Sequence, residues 1–227
     1  MKRVRWFAAT WPIPLRTLAT KMKEHAFKED SLDGFIIDRV RDNLVGGRYI
    51  EKVSFQETIT DPFGNQQTFE RIFYRQLEFN LFSTFPNMEL WDAPRSTQAY
   101  LSRLSELSSF AASVTSLSVD LIKWVNVFQS ITKAKIMIDS VQISGLEIEK
   151  GVTARVVITG DKDVREAIQH IAKNRRYELE KLHLKLLQAS TIVPIQLGNT
   201  GAVKLDEAYV EDYVPALRDA LPRPKGR

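Results

Sequence analysis

Two stretches of alternating apolar and polar residues, joined by a turn sequence, constrain this chain more than any other feature. A period of two is typical of a half-buried β-strand. The apolar members are Tyr49, Val53, Phe55 and Ile59 in the first stretch and Phe69, Phe73, Leu77, Phe79 and Leu81 in the second. Between them, Pro62 presets φ for the second position of a turn and Gly64 can take the positive φ that closes it, and Asp61 can hydrogen-bond the backbone two residues on. The sequence predicts a long hairpin over residues 49–82 whose odd face enters a hydrophobic core.

The same reasoning, applied along the chain, predicts an α+β fold. Strand patterns at 3–11, 34–40 and 88–91 and helix patterns at 15–27 and 98–110 surround the hairpin. The second half reads strand, helix, strand, strand, helix, strand, an order typical of ferredoxin-like folds. We therefore predict two ferredoxin-like (βαββαβ-type) halves, each with an antiparallel sheet and helices on one face. The domains would be 1–110 with the hairpin and 111–221, followed by a flexible tail over 222–227.

Composition excludes several classes of protein. Hydrophobic residues make up 44% of the 227 positions and charged residues 26%, which is typical of globular proteins and not of disordered ones. The absence of cysteine excludes disulfides, thiolate zinc sites and cysteine nucleophiles, and is compatible with a reducing compartment. No apolar run is long enough to span a bilayer. We expect a cytoplasmic protein that does not contact membranes.

Known catalytic and cofactor motifs are missing from the sequence. It contains no phosphate-binding loop, no dinucleotide fingerprint, no zinc-protease helix motif and no nucleophile elbow. The three histidines, His25, His170 and His183, are far apart and lack a second ligand at metal-binding spacing. Asp161 and Asp163 could bind a cation, but two acids after Gly160 fit the start of a helix better. We predict no catalytic residue, no metal and no cofactor.

An unusual pattern of charged and aromatic residues lies on the second arm of the hairpin. Arg71 and Arg75 share the odd face with Phe69 and Phe73. Burial of both guanidinium groups would be unfavourable unless each were paired. An open face would instead offer rings for base stacking and cations for phosphates, as in sheet-type RNA-binding proteins. A third interpretation is a strand whose outer half is exposed.

Two further basic clusters are candidates for contact with phosphate groups. The first is Lys2, Arg3 and Arg5 on the first predicted strand. The second is Lys173, Arg175 and Arg176, where a predicted helix ends. Guanidinium groups bind phosphate in a bidentate manner, although cations at a helix C-terminus also interact favourably with its dipole. The net charge of +4 and the isoelectric point near 9.2 permit an anionic partner without requiring one.

Three functional hypotheses follow. We favour a non-enzymatic protein that binds RNA or single-stranded nucleic acid through Arg71, Arg75, Phe73 and the two basic clusters, as a subunit of a larger complex. The alternative is an assembly subunit without nucleic-acid contact, whose hairpin edges pair with a protein partner or a second copy. A metal-dependent nuclease or transferase is the least favoured hypothesis.

Overall fold

The computed structural model describes residues 1–173, 175–187 and 191–223. The first part of the chain forms β1 (Lys2–Thr10), α1 (Leu15–Glu24), β2 (Asp33–Arg41), β3 (Leu44–Thr60), β4 (Gln66–Phe82), β5 (Met88–Trp91) and α2 (Gln98–Leu107). The second part forms β6 (Ser113–Ser116), α3 (Leu121–Thr132), β7 (Lys135–Glu149), β8 (Val152–Thr159), α4 (Arg165–Ala172), β9 (Glu178–Leu187), β10 (Ile192–Gly198), β11 (Ala202–Leu205) and α5 (Val210–Asp219). The protein is therefore α+β, and its registered strand pairs are antiparallel.

The chain divides into two compact units. The N-terminal unit is Ala9–Ser113, and the C-terminal unit combines Met1–Ala8 with Val114–Arg227. The first strand therefore begins in the unit that contains the second half of the chain. The domain boundary predicted at residue 110 stays a prediction. The predicted tail covers residues 222–227, and residues 224–227 of it lie outside the described residues.

The N-terminal unit is an antiparallel meander in which β2, β3, β4 and β5 are neighbours in chain order. The predicted hairpin is present: β3 and β4 pair without interruption from Leu44 and Phe82 to Thr60 and Gln66. At the turn, Asp61 accepts backbone hydrogen bonds from Phe63 and Asn65, both at 2.8 Å. Gly64 adopts the positive φ of 88° that the turn requires.

The core of the N-terminal unit lies at the base of the hairpin. Four aromatic side chains, each at most 4% exposed, form a cluster there: Phe35, Tyr49, Phe79 and Tyr100. Their ring centroids are separated by 5.2 to 6.4 Å. The odd face of the hairpin therefore enters the core as predicted, but only over its inner half.

In the C-terminal unit the strands follow the order β1, β11, β10, β9, β7, β8, and β6 pairs with β1. One face of this sheet is apolar and buried. A single row across it consists of Val4, Val203, Leu197, Leu182 and Val141, none more than 2% exposed. Helix α3 packs on this side, since Trp124 meets Trp6 edge to face at 6.0 Å. Trp124 also donates a hydrogen bond from Nε1 to the carbonyl of Leu217 in α5.

The two ferredoxin-like halves are not confirmed. In a ferredoxin-like sheet the strand before the first helix pairs with strands from the second half of the motif. Here β6, the strand before α3, pairs with β1, and β7 lies between β8 and β9. The N-terminal unit is a meander without a helical crossover between its strands. Element order was compatible with either topology, because order along the chain does not fix which strands become neighbours.

Candidate nucleic-acid interface

The second face of the C-terminal sheet is polar and partly exposed. Its central row crosses six strands and consists of Arg3, Lys204, Gln196, His183, Ser140 and Thr159. A row on one side contains Arg5, Lys181 and Gln142, and a row on the other contains Lys185. Directly opposite residues of paired strands point to the same side, so these side chains share one surface. We call Arg3, Arg5, Lys181, His183, Lys185 and Lys204 the basic sheet face.

Two of these cations have no ion-pair partner among the described residues. Lys181 and Lys204 are both exposed, and the described part of the chain gives their ammonium groups neither an ion pair nor a hydrogen bond. The carboxylates of Asp139 and Glu180 lie on the same surface, and each is already paired. Asp139 binds His183 and Lys185, and Glu180 binds Arg155 and Gln142. The surface therefore keeps an excess of positive charge.

Asp139 organises the centre of the basic sheet face. A β-bulge in β7 between Ile138 and Ser140 places this carboxylate beside β9. Its oxygens lie 2.6 Å from Nδ1 of His183 and 2.9 Å from Nζ of Lys185. Burial opposes ionisation of Asp139, but the hydrogen bonds and charges of Lys185 and His183 outweigh it and lower the pKa of the carboxyl group. Asp139 thus fixes two side chains of the face in position.

The structure separates the first predicted basic cluster. Arg3 and Arg5 lie on the basic sheet face, as the row pairings show. Arg5 donates to Ser116 Oγ at 3.1 Å and lies over the ring of Phe7 at 4.8 Å, and burial lowers the pKa of its guanidinium group. Lys2 points to the opposite side, in the row of buried Leu205, and pairs with Glu207 at 3.6 Å.

Arg71, Arg75 and Phe73 lie together on the outer part of the hairpin. Both guanidinium groups are exposed, with 61% and 50% of their side-chain areas accessible, but Arg71 pairs with Glu57 and Arg75 with Glu51. Arg75 also lies over the ring of Phe73 at 5.4 Å. The third interpretation of this strand therefore describes the geometry: its outer half is exposed, and its arginines are neutralised locally.

The hairpin extends far beyond its neighbouring strands. β2 pairs with β3 only as far as Glu51, and β5 pairs with β4 only as far as Glu78. We call the two-stranded segment 52–76 the arm. It carries exposed large apolar side chains on both faces: Phe55, Ile59, Phe63, Phe69, Ile72, Phe73 and Tyr74. It contains three basic residues (Lys52, Arg71, Arg75) and three acidic ones (Glu57, Asp61, Glu70), so it has no net charge.

The second predicted cluster follows α4. Lys173, Arg175 and Arg176 are exposed, and the backbone N–H of Arg175 donates to the carbonyl of Ala172. At the start of the same helix Asp163 accepts from the backbone N–H groups of Ile138 and Arg165 and pairs with the guanidinium of Arg165. Asp163 therefore satisfies a backbone N–H group in the first turn of α4. In the described ranges, no three His, Cys, Asp or Glu side chains form a group that could hold a metal ion.

A groove of about 930 Å³ lies in the C-terminal unit beside the start of α3. Its lining mixes apolar side chains such as Ile168 and Tyr177 with the charged Arg165 and Glu178. Both charged groups are occupied, since Arg165 binds Asp163 and Glu178 accepts from Asn199. The groove therefore has room for a ligand, but Arg165 and Glu178 are already engaged within the protein.

Charge is distributed unevenly between the two units. The C-terminal unit contains 20 lysines and arginines against 14 aspartates and glutamates, a net charge of +6. The N-terminal unit contains 12 against 14, a net charge of −2. A polyanion would therefore be attracted to the C-terminal unit.

Comparison of the sequence with protein-family models finds no match, and no curated protein matches it at a significant level. Within the described ranges, no helix combines the length and apolar character needed to cross a bilayer.

Proposed function

We propose that this protein binds nucleic acid, as RNA or a single strand, through the basic sheet face of its C-terminal unit and without a catalytic step of its own. The observation that carries the proposal is the registered set of cations on one exposed surface, which includes Lys181 and Lys204, two lysines without an ion-pair partner in the described part of the chain. Lysine and arginine side chains that neutralise phosphates supply most of the affinity of sequence-independent binding. The lack of cysteine suits the reducing cytoplasm, where we place this activity.

The face also offers groups other than cations. His183 lies in the middle of the central row with 40% of its side-chain area accessible, and an imidazole plane can stack on an unpaired base. Gln196, Gln142 and Ser140 lie in the same rows and can donate hydrogen bonds to phosphate or sugar oxygens. Bases can reach such a surface only when they are unpaired, which supports RNA or single strands over duplex DNA.

A charge-reversal experiment tests this proposal. We expect the full chain to bind a random 20-nucleotide single strand with affinity that falls as salt increases. Lys181→Glu with Lys204→Glu should weaken binding at least tenfold and lower the slope of log affinity against log salt by about 1.4, because two phosphate contacts are lost.

A matched variant controls for net charge. Lys23→Glu with Lys28→Glu makes the same charge change at exposed positions of the N-terminal unit and should bind like the wild type. Arg71→Glu with Arg75→Glu tests the nucleic-acid site on the hairpin that the sequence predicted. Equal binding by the Lys181/Lys204 variant and the control, or wild-type binding without salt dependence, would contradict the proposal.

A second candidate function is assembly through the arm. A two-stranded ribbon alone is marginally stable in water, and apolar side chains exposed on both of its faces mark an interaction surface. We expect the chain in lysate of its source cells to sediment above its monomer mass of 26.0 kDa. Phe55→Ser with Phe73→Ser should return it to that mass. Sedimentation of the wild type as a monomer in lysate would rule out this second function.

A further inference from the structure

The outer edge of β4 is an unusually long free strand edge. From Gln66 to Leu77, β4 pairs with β3 on one side, and the described residues supply no strand on the other. This segment contains no proline and no glycine, and its pairing with β3 has no bulge. Prolines and bulges on an edge strand commonly block edge-to-edge association. The backbone N–H and C=O groups of this edge are thus available to another strand.

We propose that the occupant of this edge is a second copy of this chain, with the two β4 strands pairing antiparallel about a two-fold axis at Ile72. The inference rests on the assembly function proposed above and names its partner. It gives a four-stranded sheet, with the remainder of each N-terminal unit at opposite ends of the paired arms. Such an isologous contact closes on itself, so it yields a dimer and not a fibre.

The charge pattern of β4 selects this register. With the axis at Ile72, Arg71 of one copy faces Phe73 of the other, and Arg75 faces Phe69. Each pair joins a guanidinium to an aromatic ring, as Arg75 already does with Phe73 within one chain at 5.4 Å. On the other face, Glu70 meets Tyr74, whose hydroxyl can donate to the carboxylate.

Neighbouring registers are disfavoured by the same residues. An axis at Glu70 or at Arg71 would place that residue opposite its own copy, and an axis at Phe73 would place Arg71 opposite Arg75. Like charges directly opposite each other destabilise a strand pair. An axis at Ile72 also pairs Gln67 with Leu77, so it uses almost the whole free edge from Gln66 to Leu77.

A single-cysteine scan tests both the partner and the register, because the natural chain has no cysteine to give background cross-links. At the axis the Cα atoms of the two copies lie about 5 Å apart, which a disulfide can span. We expect Ile72→Cys to form a covalent dimer on mild oxidation. Glu70→Cys and Tyr74→Cys should not, since their like positions lie more than about 10 Å apart.

Two controls complete the experiment. Ser54 lies directly opposite Ile72 on β3, also exposed and on the same face but away from the proposed contact, so Ser54→Cys should remain monomeric. Without oxidant, the purified wild type should have twice the monomer mass by light scattering at tens of micromolar. Ile72→Arg, which places two arginines opposite each other, should halve that mass, whereas Ser54→Arg should not.

The possible outcomes are distinct. A monomeric wild type without a cross-link at Ile72→Cys overturns the second-copy inference. If the chain in lysate still sediments as a larger species that depends on Phe55 and Phe73, the assembly function stands with a different protein as partner. A cross-link that is strongest at position 70 or 74 overturns the register.

Discussion

At the scale of a single residue, the carboxylate of Asp139 contributes both to the stability of the fold and to the geometry of the proposed binding surface. It is 8% exposed, and its partners His183 and Lys185 belong to the surface that we propose as the nucleic-acid-binding face. A buried carboxylate is tolerated only when cationic or hydrogen-bonding groups satisfy it. The same contacts that satisfy Asp139 hold two side chains of the basic sheet face in place.

Asp139→Asn should destabilise the protein by about 1.5–3 kcal/mol at neutral pH, the usual contribution of hydrogen bonds to charged groups. Folding lowers the pKa of Asp139 below its ordinary value of 3.8, so the ionised carboxylate stabilises the fold above that value. This stabilisation is lost as the pH falls through the lowered pKa. The difference between variant and wild type in urea unfolding should therefore narrow below about pH 4. Asp161→Asn is the control and should change stability by less than about 0.5 kcal/mol; a difference that is constant with pH would contradict the role of ionisation.

The position of Asp139 leaves a trace in the sequence. Apolar residues alternate at Ile136 and Ile138 and then at Val141 and Ile143, so the phase shifts by one residue between 138 and 141. Such a shift predicts a β-bulge, which moves a side chain out of the regular alternation. Lys181 and Lys204 left no comparable trace, since a lysine on a strand is ordinary and only the pairing of β9, β10 and β11 brings them to one surface.

At the scale of the element, β4 combines two environments on one continuous strand. Leu77, Phe79 and Leu81 are at most 3% exposed, whereas Phe69 and Phe73 on the same face are 47% and 38% exposed. The difference arises because β2 and β5 flank only the inner part of the hairpin. Aromatic residues at the same alternation therefore serve a core at one end and a surface at the other.

Two phenylalanines on this strand provide a matched comparison. Phe79→Ala removes a ring from a fully buried cluster and should cost about 3–5 kcal/mol of unfolding free energy. Phe73→Ala, six residues earlier on the same face, should cost less than about 1 kcal/mol, because its ring is not enclosed. Chemical denaturation of dilute protein measures both. Equal losses would show that the arm belongs to the core.

Alternation along the sequence was sufficient to predict the hairpin and its turn, because both depend on local spacing and on Asp61 and Gly64. It was not sufficient to predict where the core ends, because burial of Phe69 or Leu77 depends on strands that come from elsewhere in the chain. The short strand β11 was also not predicted. It has four residues, follows a turn at Gly201 and becomes a strand only through its pairing with β1 and β10.

At the scale of the whole molecule, the C-terminal unit is discontinuous in sequence. Its sheet requires β1, whose residues Lys2, Arg3, Val4 and Arg5 pair with Leu205, Lys204, Val203 and Ala202. Trp6 on the same strand is fully buried against Trp124. The first residues of the chain therefore determine the stability of a unit formed mainly by its second half.

Trp6→Ala should reduce the stability of the C-terminal unit by about 3–5 kcal/mol, because a large buried ring is lost. Hydrogen exchange followed by mass spectrometry should show lost protection in peptides from residues 114–223. Trp11→Ala provides the control: its Nε1 donates to the carbonyl of Phe82, so protection should fall in peptides from residues 9–113. Loss of protection in the same peptides for both variants would contradict the division into units.

The pairing of β1 with β11 also sets an order of events during synthesis on the ribosome. Ala9–Ser113 is a continuous segment and can fold as soon as it has emerged, since domains form as units during translation. Residues Lys2–Arg5 must wait until Ala202–Leu205 has been made about 200 residues later. The edge of β1 that pairs with β11 therefore stays open until residues 202–205 have been made, although β6 can pair with the same strand earlier.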